Sequence, residues 1–472
     1  MKLSAIFRKK WEWFAFAALL LFFGLIKFPT FDAYFADGWI YFYFGKLVSE
    51  GALPYLDFYY SSPPFLPCFA GLLHTLFGFN LPLAAALPTV FSAIDALLIF
   101  LLLRKKTSNF ASLLAVAVYL FSFATLATTK FYSEAHPLTT FALAGSLLFF
   151  HKKYFWAGTF FGLAGLTKLY GLVPAVFLPI LISKKPRELA KFFGGIFLSF
   201  GIPNLIFLFL VGREYLDFIF FNHLGKEAGI PKGRIFKFFL AHDWGLPAVA
   251  ALALLAKKKK KLILALLPLA ALVVFYAIFP DIYYLYLKIF VALFAALLAF
   301  VFAGKFIFQK KTVAGIGIAL LLASGATATN FYLRSYAPVS RIDDLAGIVE
   351  KVSMEADPDQ PIYGNFAITP LVALLSEREI FRNYVDTNSK FIDLGLIDLE
   401  QRAAEIEAAR VPVVITKIFI DPKTSQTLGI EDVLPDEFFQ TNCEPAGFFP
   451  IAADFEANWV VVWRCGYSNS SK

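Results

Sequence analysis

The sequence predicts a polytopic α-helical membrane protein of about eleven spans, followed by a C-terminal extracytoplasmic α/β domain. Three observations predict it. Hydrophobic residues make up 59% and aromatics 18% of the 472 residues, well above the roughly one-half apolar share of a soluble globule. Apolar runs of membrane length recur as far as Asn330 and then stop. Charge is unevenly divided: residues 335–472 carry 11 Lys+Arg against 22 Asp+Glu, whereas residues 1–334 carry 32 against 13. Basic short loops joined to an acidic, solvent-exposed domain give that asymmetry, so the net charge of +8 is no argument for nucleic acid.

Arg8, Lys9 and Lys10 precede the first run, 11–28, which is apolar except for Glu12 and Lys27. No small-residue cleavage site follows, so it reads as a retained anchor helix. Further spans are expected at 82–103, 110–129, 134–150, 154–168, 170–183, 192–211, 244–256, 262–279, 283–303 and 312–329. The run 64–79 is either a span or a helix lying in the interface, and the choice inverts everything downstream. If it does not cross, the basic clusters 104–106, 152–153, 184–187, 257–261 and 305–311 all fall on the N-terminal side. The positive-inside rule selects that parse. The N-terminus is then cytoplasmic, and the loops 28–81, 129–137, 212–243 and 280–284 share the outer face with the C-terminal domain. No internal repeat is visible, which disfavours the repeat-built transporter folds.

The chain divides on this reading into a membrane domain, 1–334, with a first outer loop at 29–81, and a soluble α/β domain, 335–472. In the latter, helical spacing is read at 343–355, 369–375 and 399–409, and strands at 361–365, 413–416 and 459–463. It has no Gly-rich phosphate loop and no zinc-ligand spacing, so support or recognition is expected of it rather than catalysis. Cys443 and Cys465 both lie there, while Cys68 does not. Outside the cell the two could pair; otherwise they are buried thiols.

The segment 28–65 places Asp32, Asp37 and Asp57 among aromatics directly after the first apolar run. Carboxylates beside hydrocarbon are costly unless they face water, a cation or a substrate, so they mark either a site at the membrane surface or a solvated loop. The run Asp37-Gly-Trp-Ile-Tyr, then Gly51-Ala-Leu-Pro-Tyr-Leu-Asp57-Phe, then Ser61-Ser-Pro-Pro64 and an apolar stretch ending Phe77-Gly78 resembles the first outer loop of the GT-C glycosyltransferases, such as protein mannosyltransferases and aminoarabinose transferases. Glu134 and Gly165-Leu-Thr-Lys168 follow in the same order, so the resemblance covers roughly the first 185 residues.

The resemblance implies a sugar carried on a polyprenyl phosphate, a glycan, lipid or protein acceptor, and Asp37 as the catalytic acid residue. The chemistry is consistent with this. Inverting glycosyl transfer needs a base for the acceptor hydroxyl as oxocarbenium character builds, which a carboxylate supplies. The leaving phosphate is a stable anion and asks only for a cation or a helix N-terminus. Lys168 would supply that charge or else snorkel to headgroups. Glu134 would orient the acceptor or help to hold a divalent cation; the alternative is an ordinary acid at a helix start. Asp57, next to Tyr55, would tie the loop through backbone amides or meet the acceptor. Asp32 has no counterpart in the pattern.

Lys288 lies inside an apolar run and needs a polar partner; it is expected as a second donor-phosphate contact or as a snorkelling Lys. Tyr283, just before it, belongs to an aromatic interfacial belt or to the acceptor side. His136, His223 and His242 show no ligand spacing, so no His-based metal site is expected. Arg213, Lys226, Lys232 and Arg234 face a lipid phosphate or anionic headgroups. The rival functions are a transporter or lipid flippase, which would carry acids inside several spans, and a non-catalytic assembly or sensor protein.

Overall fold

The computed structural model describes residues 2–221, 230–254, 259–280, 282–303, 311–420, 427–430, 433–452 and 457–467. The helices are, in chain order, Lys2–Lys27 (α1), Gly38–Ser49 (α2), Phe65–Phe77 (α3), Leu81–Leu103 (α4), Asn109–Leu120 (α5), Phe123–Thr128 (α6), Ala135–Phe150 (α7), Tyr154–Thr167 (α8), Pro186–Ile196 (α9), Ile202–Val211 (α10), Arg213–Leu216 (α11), Lys232–His242 (α12), Gly245–Leu254 (α13), Lys259–Ile278 (α14), Leu287–Ala303 (α15) and Lys311–Phe331 (α16). Beyond them come Leu345–Glu355 (α17), Thr369–Ser376 (α18), Ser389–Asp393 (α19), Leu399–Ala409 (α20) and Asp436–Asn442 (α21), with strands Ile362–Gly364 (β1), Val413–Ile420 (β2), Thr427–Ile430 (β3), Cys443–Ile451 (β4) and Ala457–Cys465 (β5). The chain is an integral membrane protein: among the described residues four helical runs, Trp11–Thr30, Leu81–Leu103, Pro186–Val211 and Gly315–Tyr336, are long and apolar enough to cross a bilayer.

Shorter apolar helices occupy other expected spans, and local chemistry explains where they break. The run 110–129 is two helices, because the Ser122 hydroxyl accepts a hydrogen bond from Thr125 N and starts α6 afresh. The run 170–183 is not α-helical but two 3-10 stretches, Leu169–Ala175 and Leu178–Ile182. Pro174 and Pro179 remove the amides that an α-helix would use there. Gly171 lets the first stretch fold back on α8, since a Cβ at this position would sit 2.3 Å from the Ala164 carbonyl oxygen.

By internal contact the chain forms two compact units. The helical unit comprises Met1–Phe31, Ala86–Leu210 and Glu227–Ala337. Its core is one contiguous cluster in which Phe16 of α1 stacks on Phe100 of α4 at 5.1 Å and Phe123 of α6 meets Tyr284 at 5.6 Å. Its buried charged groups Asp243 and Lys27 are paired. Asp243 accepts hydrogen bonds from Phe123 N and Ala124 N at the start of α6, and fully buried Lys27 donates to Leu126 O and to the Tyr332 hydroxyl.

The mixed unit comprises Asp32–Ala85, Val211–Lys226 and Pro338–Lys472. Its sheet runs β1-β2-β5-β4, with β3 on β2; β1 is parallel to β2 and the other pairs are antiparallel. Tyr363, Ile406, Val414, Phe438 and Phe439 pack its core. The segment 64–79 forms α3, whose 13 residues reach about 20 Å, against the roughly 30 Å of a hydrocarbon core. α3 lies against α2 so closely that a Cβ on Gly45 would fall 2.6 Å from the backbone of Ala70. Cys443 and Cys465 face each other across β4 and β5 and are joined by a disulfide, which decides between the two readings of this pair. Cys68 is free and exposed.

Candidate active site

Asp37 stands at the N-terminus of α2, exposed, whereas the next three residues, Gly38, Trp39 and Ile40, are buried. Burial of Trp39 and Ile40 in the mixed unit fixes the first turn of the helix, and Ile40 N donates back to Asp37 O. The strand-like segment before it is pinned by backbone bonds to the C-terminal part of the same unit: Ile342 N to Ala33 O at 3.1 Å, Phe35 N to Ser340 O at 2.8 Å and Ala36 N to Ala367 O at 3.3 Å. Trp39 Nε1 donates to Tyr34 O at 2.6 Å, and the buried Tyr43 hydroxyl accepts from Ile380 N at 2.7 Å. Burial pushes Tyr43 well above its ordinary pKa, so it stays a neutral phenol. The result is a carboxylate held in place by a frame whose amides are already satisfied. The bonds to Ser340, Ile342, Ala367 and Ile380 have no local signature in the sequence, because each joins residues hundreds of positions apart.

The second half of the loop is tied locally. Asp57 accepts from Leu53 N at 2.7 Å and is itself exposed. Tyr55 has φ of +72°, unusual for a bulky side chain, and is held there by its N–H to Phe58 O at 2.9 Å and its hydroxyl to Ser62 O at 2.5 Å. Its ring meets Tyr215 edge-on at 4.9 Å and stacks on Phe218 at 6.2 Å. Asp32 is exposed and accepts from its neighbour, Ala33 N.

In the helical unit the structure brings Glu134 and Lys168 together: Lys168 Nζ lies 3.3 Å from Glu134 Oε1, with side chains 16% and 10% exposed. The pair is nearly enclosed yet open to solvent. Lys168 owes its place to the break after α8, where its backbone turns extended and Gly171 N bonds Lys168 O. Glu134 is set at the start of α7, with Leu138 N on its carbonyl.

Lys288 differs. It is fully buried, 3.3 Å from Asp95 Oδ2 and 2.7 Å from His136 Nδ1. A cation enclosed in this way presents no charge to a phosphate outside it. Asp95 lies in the middle of α4, and a lone acid inside such an apolar run is the sequence signal of a buried partner. Tyr283 is half-buried and meets Tyr286 edge-on at 6.0 Å. His242 packs against Phe331 and Phe238, with Nδ1 on Phe238 O. Arg213 and Arg234 are exposed, and Lys232 Nζ donates to Ala277 O. His223, Lys226, Asp281 and much of the clusters 257–261 and 305–311 lie outside the described residues. Among the described residues no group of three or more His, Cys, Asp or Glu side chains could hold a metal ion. Glu134, expected either to orient the acceptor or to help hold a divalent cation, meets Lys168 instead of a second carboxylate.

The fold is shared with proteins of known structure. The chain is similar to ArnT from Cupriavidus metallidurans in the apo state, with a TM-score of 0.62 and 12% identity over 94% of this chain and 97% of that one. It is similar to the same protein bound to undecaprenyl phosphate, with a TM-score of 0.60 and 12% identity over 95% and 97%. The archaeal oligosaccharyltransferase AglB from Archaeoglobus fulgidus, in complex with an inhibitory peptide and a dolichol-phosphate, matches with a TM-score of 0.50 and 11% identity over 90% of this chain and 74% of that one. No family model and no curated protein matches the sequence. At these identities the likeness is one of fold: the chain shares the fold of ArnT over nearly its whole length.

Proposed function

We propose that this protein is an inverting membrane glycosyltransferase that moves one sugar from a polyprenyl-phosphate carrier to a glycan, lipid or protein acceptor on the outer face of the membrane. One observation carries the reading: an exposed carboxylate, Asp37, begins a helix on a frame of satisfied backbone bonds, within a fold shared over nearly the whole chain with ArnT. The carrier-linked donor is supported by the undecaprenyl phosphate and dolichol-phosphate held by the similar proteins.

Asp37 takes the proton of the acceptor hydroxyl as its oxygen bonds to the anomeric carbon, while the bond from that carbon to the phosphate oxygen breaks and polyprenyl phosphate leaves. Lys168, aligned by Glu134, neutralises the charge that builds on the leaving phosphate. Asp57 and Tyr55 hold the loop that carries the base, and Tyr283 belongs to the interfacial belt. The outer-face placement follows from the basic clusters being assigned to the cytoplasm. The Cys443–Cys465 disulfide supports it, since such bonds persist in oxidising compartments. A transporter would need its intramembrane charges along a path, whereas Asp95 and Lys288 are closed on each other.

The test is transfer of radiolabelled sugar from defined polyprenyl-phosphate sugars to membrane extracts by wild type and Asp37→Asn. Loss of about 10²-fold or more in rate, with donor binding retained, is expected of a missing base. Equal transfer by both proteins removes Asp37 from that role.

A further inference from the structure

Fully buried charges in a membrane bundle are expensive, and Asp95 and Lys288 form a pair of them that touches no proposed substrate group. Asp95 of α4 accepts from the Tyr119 hydroxyl of α5 at 2.6 Å and from the Thr140 hydroxyl of α7, and it faces Lys288 of α15 at 3.3 Å. Lys288 Nζ lies 2.7 Å from His136 Nδ1, and His136 Nε2 lies 3.0 Å from Phe131 O. An ammonium can only donate, so Nδ1 accepts and the ring proton sits on Nε2, where the Phe131 carbonyl takes it. Each contact thus fixes the sense of the next. The ring is further held parallel to Tyr132 at 6.2 Å and to Phe91 at 6.5 Å.

The end of this chain is the turn from Phe131 to His136, which carries Glu134 into the first turn of α7; His136 N also closes on Ser133 O. We infer that Asp95, Lys288 and His136 form a positioning network that fixes this turn and thereby sets Glu134 against Lys168. They are positioning residues, remote from the reacting atoms. The inference rests on the transferase reading for its kinetic consequence. The hydrogen bond that Lys288 donates to His136 Nδ1 stands apart from that reading.

Two measurements on the full-length protein in lipid test it. Steady-state transfer compares wild type, His136→Phe and His136→Gln, the last keeping one acceptor and one donor on a flexible stem. His136→Phe is expected to lower kcat about tenfold or more with the KM for the polyprenyl-phosphate sugar changed less than about twofold, because a misplaced group costs rate more than binding. His136→Gln should recover most of that loss. A kcat unchanged in His136→Phe, or a glutamine variant no better than phenylalanine, overturns the inference. The second measurement is the 15N spectrum of histidine-labelled protein, with the His136 signals assigned by their absence in His136→Gln. Wild type should show the Nε2-protonated tautomer with an unprotonated Nδ1 signal displaced by an accepted hydrogen bond, and in Lys288→Met that Nδ1 signal should move to the position of a ring nitrogen without a donor; an unchanged Nδ1 signal overturns the inference even if His136→Phe fails to fold. If wild type transfers no sugar from any polyprenyl donor while the spectra behave as expected, the transferase reading falls and the network stands.

Discussion

At the scale of single residues, this chain uses carboxylates in two opposite ways. Asp37 and Asp57 are exposed, whereas Asp95 is sealed in the bundle and neutralised by Lys288. The second arrangement costs desolvation of both charges and is recovered only through the hydroxyls of Tyr119 and Thr140 and the ring of His136. Removing one partner should therefore be worse than removing both. Lys288→Met leaves a buried carboxylate uncompensated and is expected to destabilise by about 3–5 kcal/mol, while Asp95→Asn/Lys288→Met recovers a substantial part of it. Thermal unfolding in detergent of the two single variants and the double variant measures the difference; additive losses would mean that the two charges do not act as a pair.

At the scale of elements, the helical plan was readable because apolar length reports helices in a membrane, and most expected runs return within a few residues of their observed bounds. Interruptions were equally encoded, in Ser122 as a cap and in Gly171, Pro174 and Pro179 as breakers, but apolar length alone passes over them. The strand β4 was missed for a related reason: Pro445, Gly447 and Pro450 argue against a strand, and they are tolerated because β4 lies at the sheet edge, where amides need no further partner. What no local pattern holds is the docking of the loop 33–36 against residues 340–342 and 367, which sets Asp37, or the meeting of Asp95 with Lys288. These depend on tertiary contact. The tight seating of α2 on α3 offers an element-scale test. Gly45→Val places branched carbon where a Cβ would already lie 2.6 Å from Ala70, backbone included. Overpacking of this kind costs about 1–3 kcal/mol, and a lowered unfolding temperature relative to wild type, with loss of transfer if α2 shifts its first turn, is the expected outcome. A variant as stable as wild type would show that the two helices can part without penalty.

At the scale of the whole molecule, the proposed topology joins the charge division of the sequence to the chemistry of the site. Soluble nucleotide sugars belong to the cytoplasm, so an external transferase draws on a carrier-linked donor, and that logic holds only if the basic loops and the acidic domain lie on opposite sides. The disulfide between Cys443 and Cys465 occupies both cysteines of that domain and leaves exposed Cys68 as the single free thiol among the described residues. A Cys68→Ser background therefore permits clean labelling of introduced cysteines under non-reducing conditions. Lys153, in the short basic turn between α7 and α8, and Ser353, on α17, are both exposed. Ser353→Cys should react with an impermeant maleimide in intact cells, and Lys153→Cys only after the membrane is opened. Reaction of both from the same side would place the basic turn beside the acidic domain, deprive the charge asymmetry of its explanation, and remove the reason for expecting a polyprenyl-linked rather than a nucleotide-linked sugar.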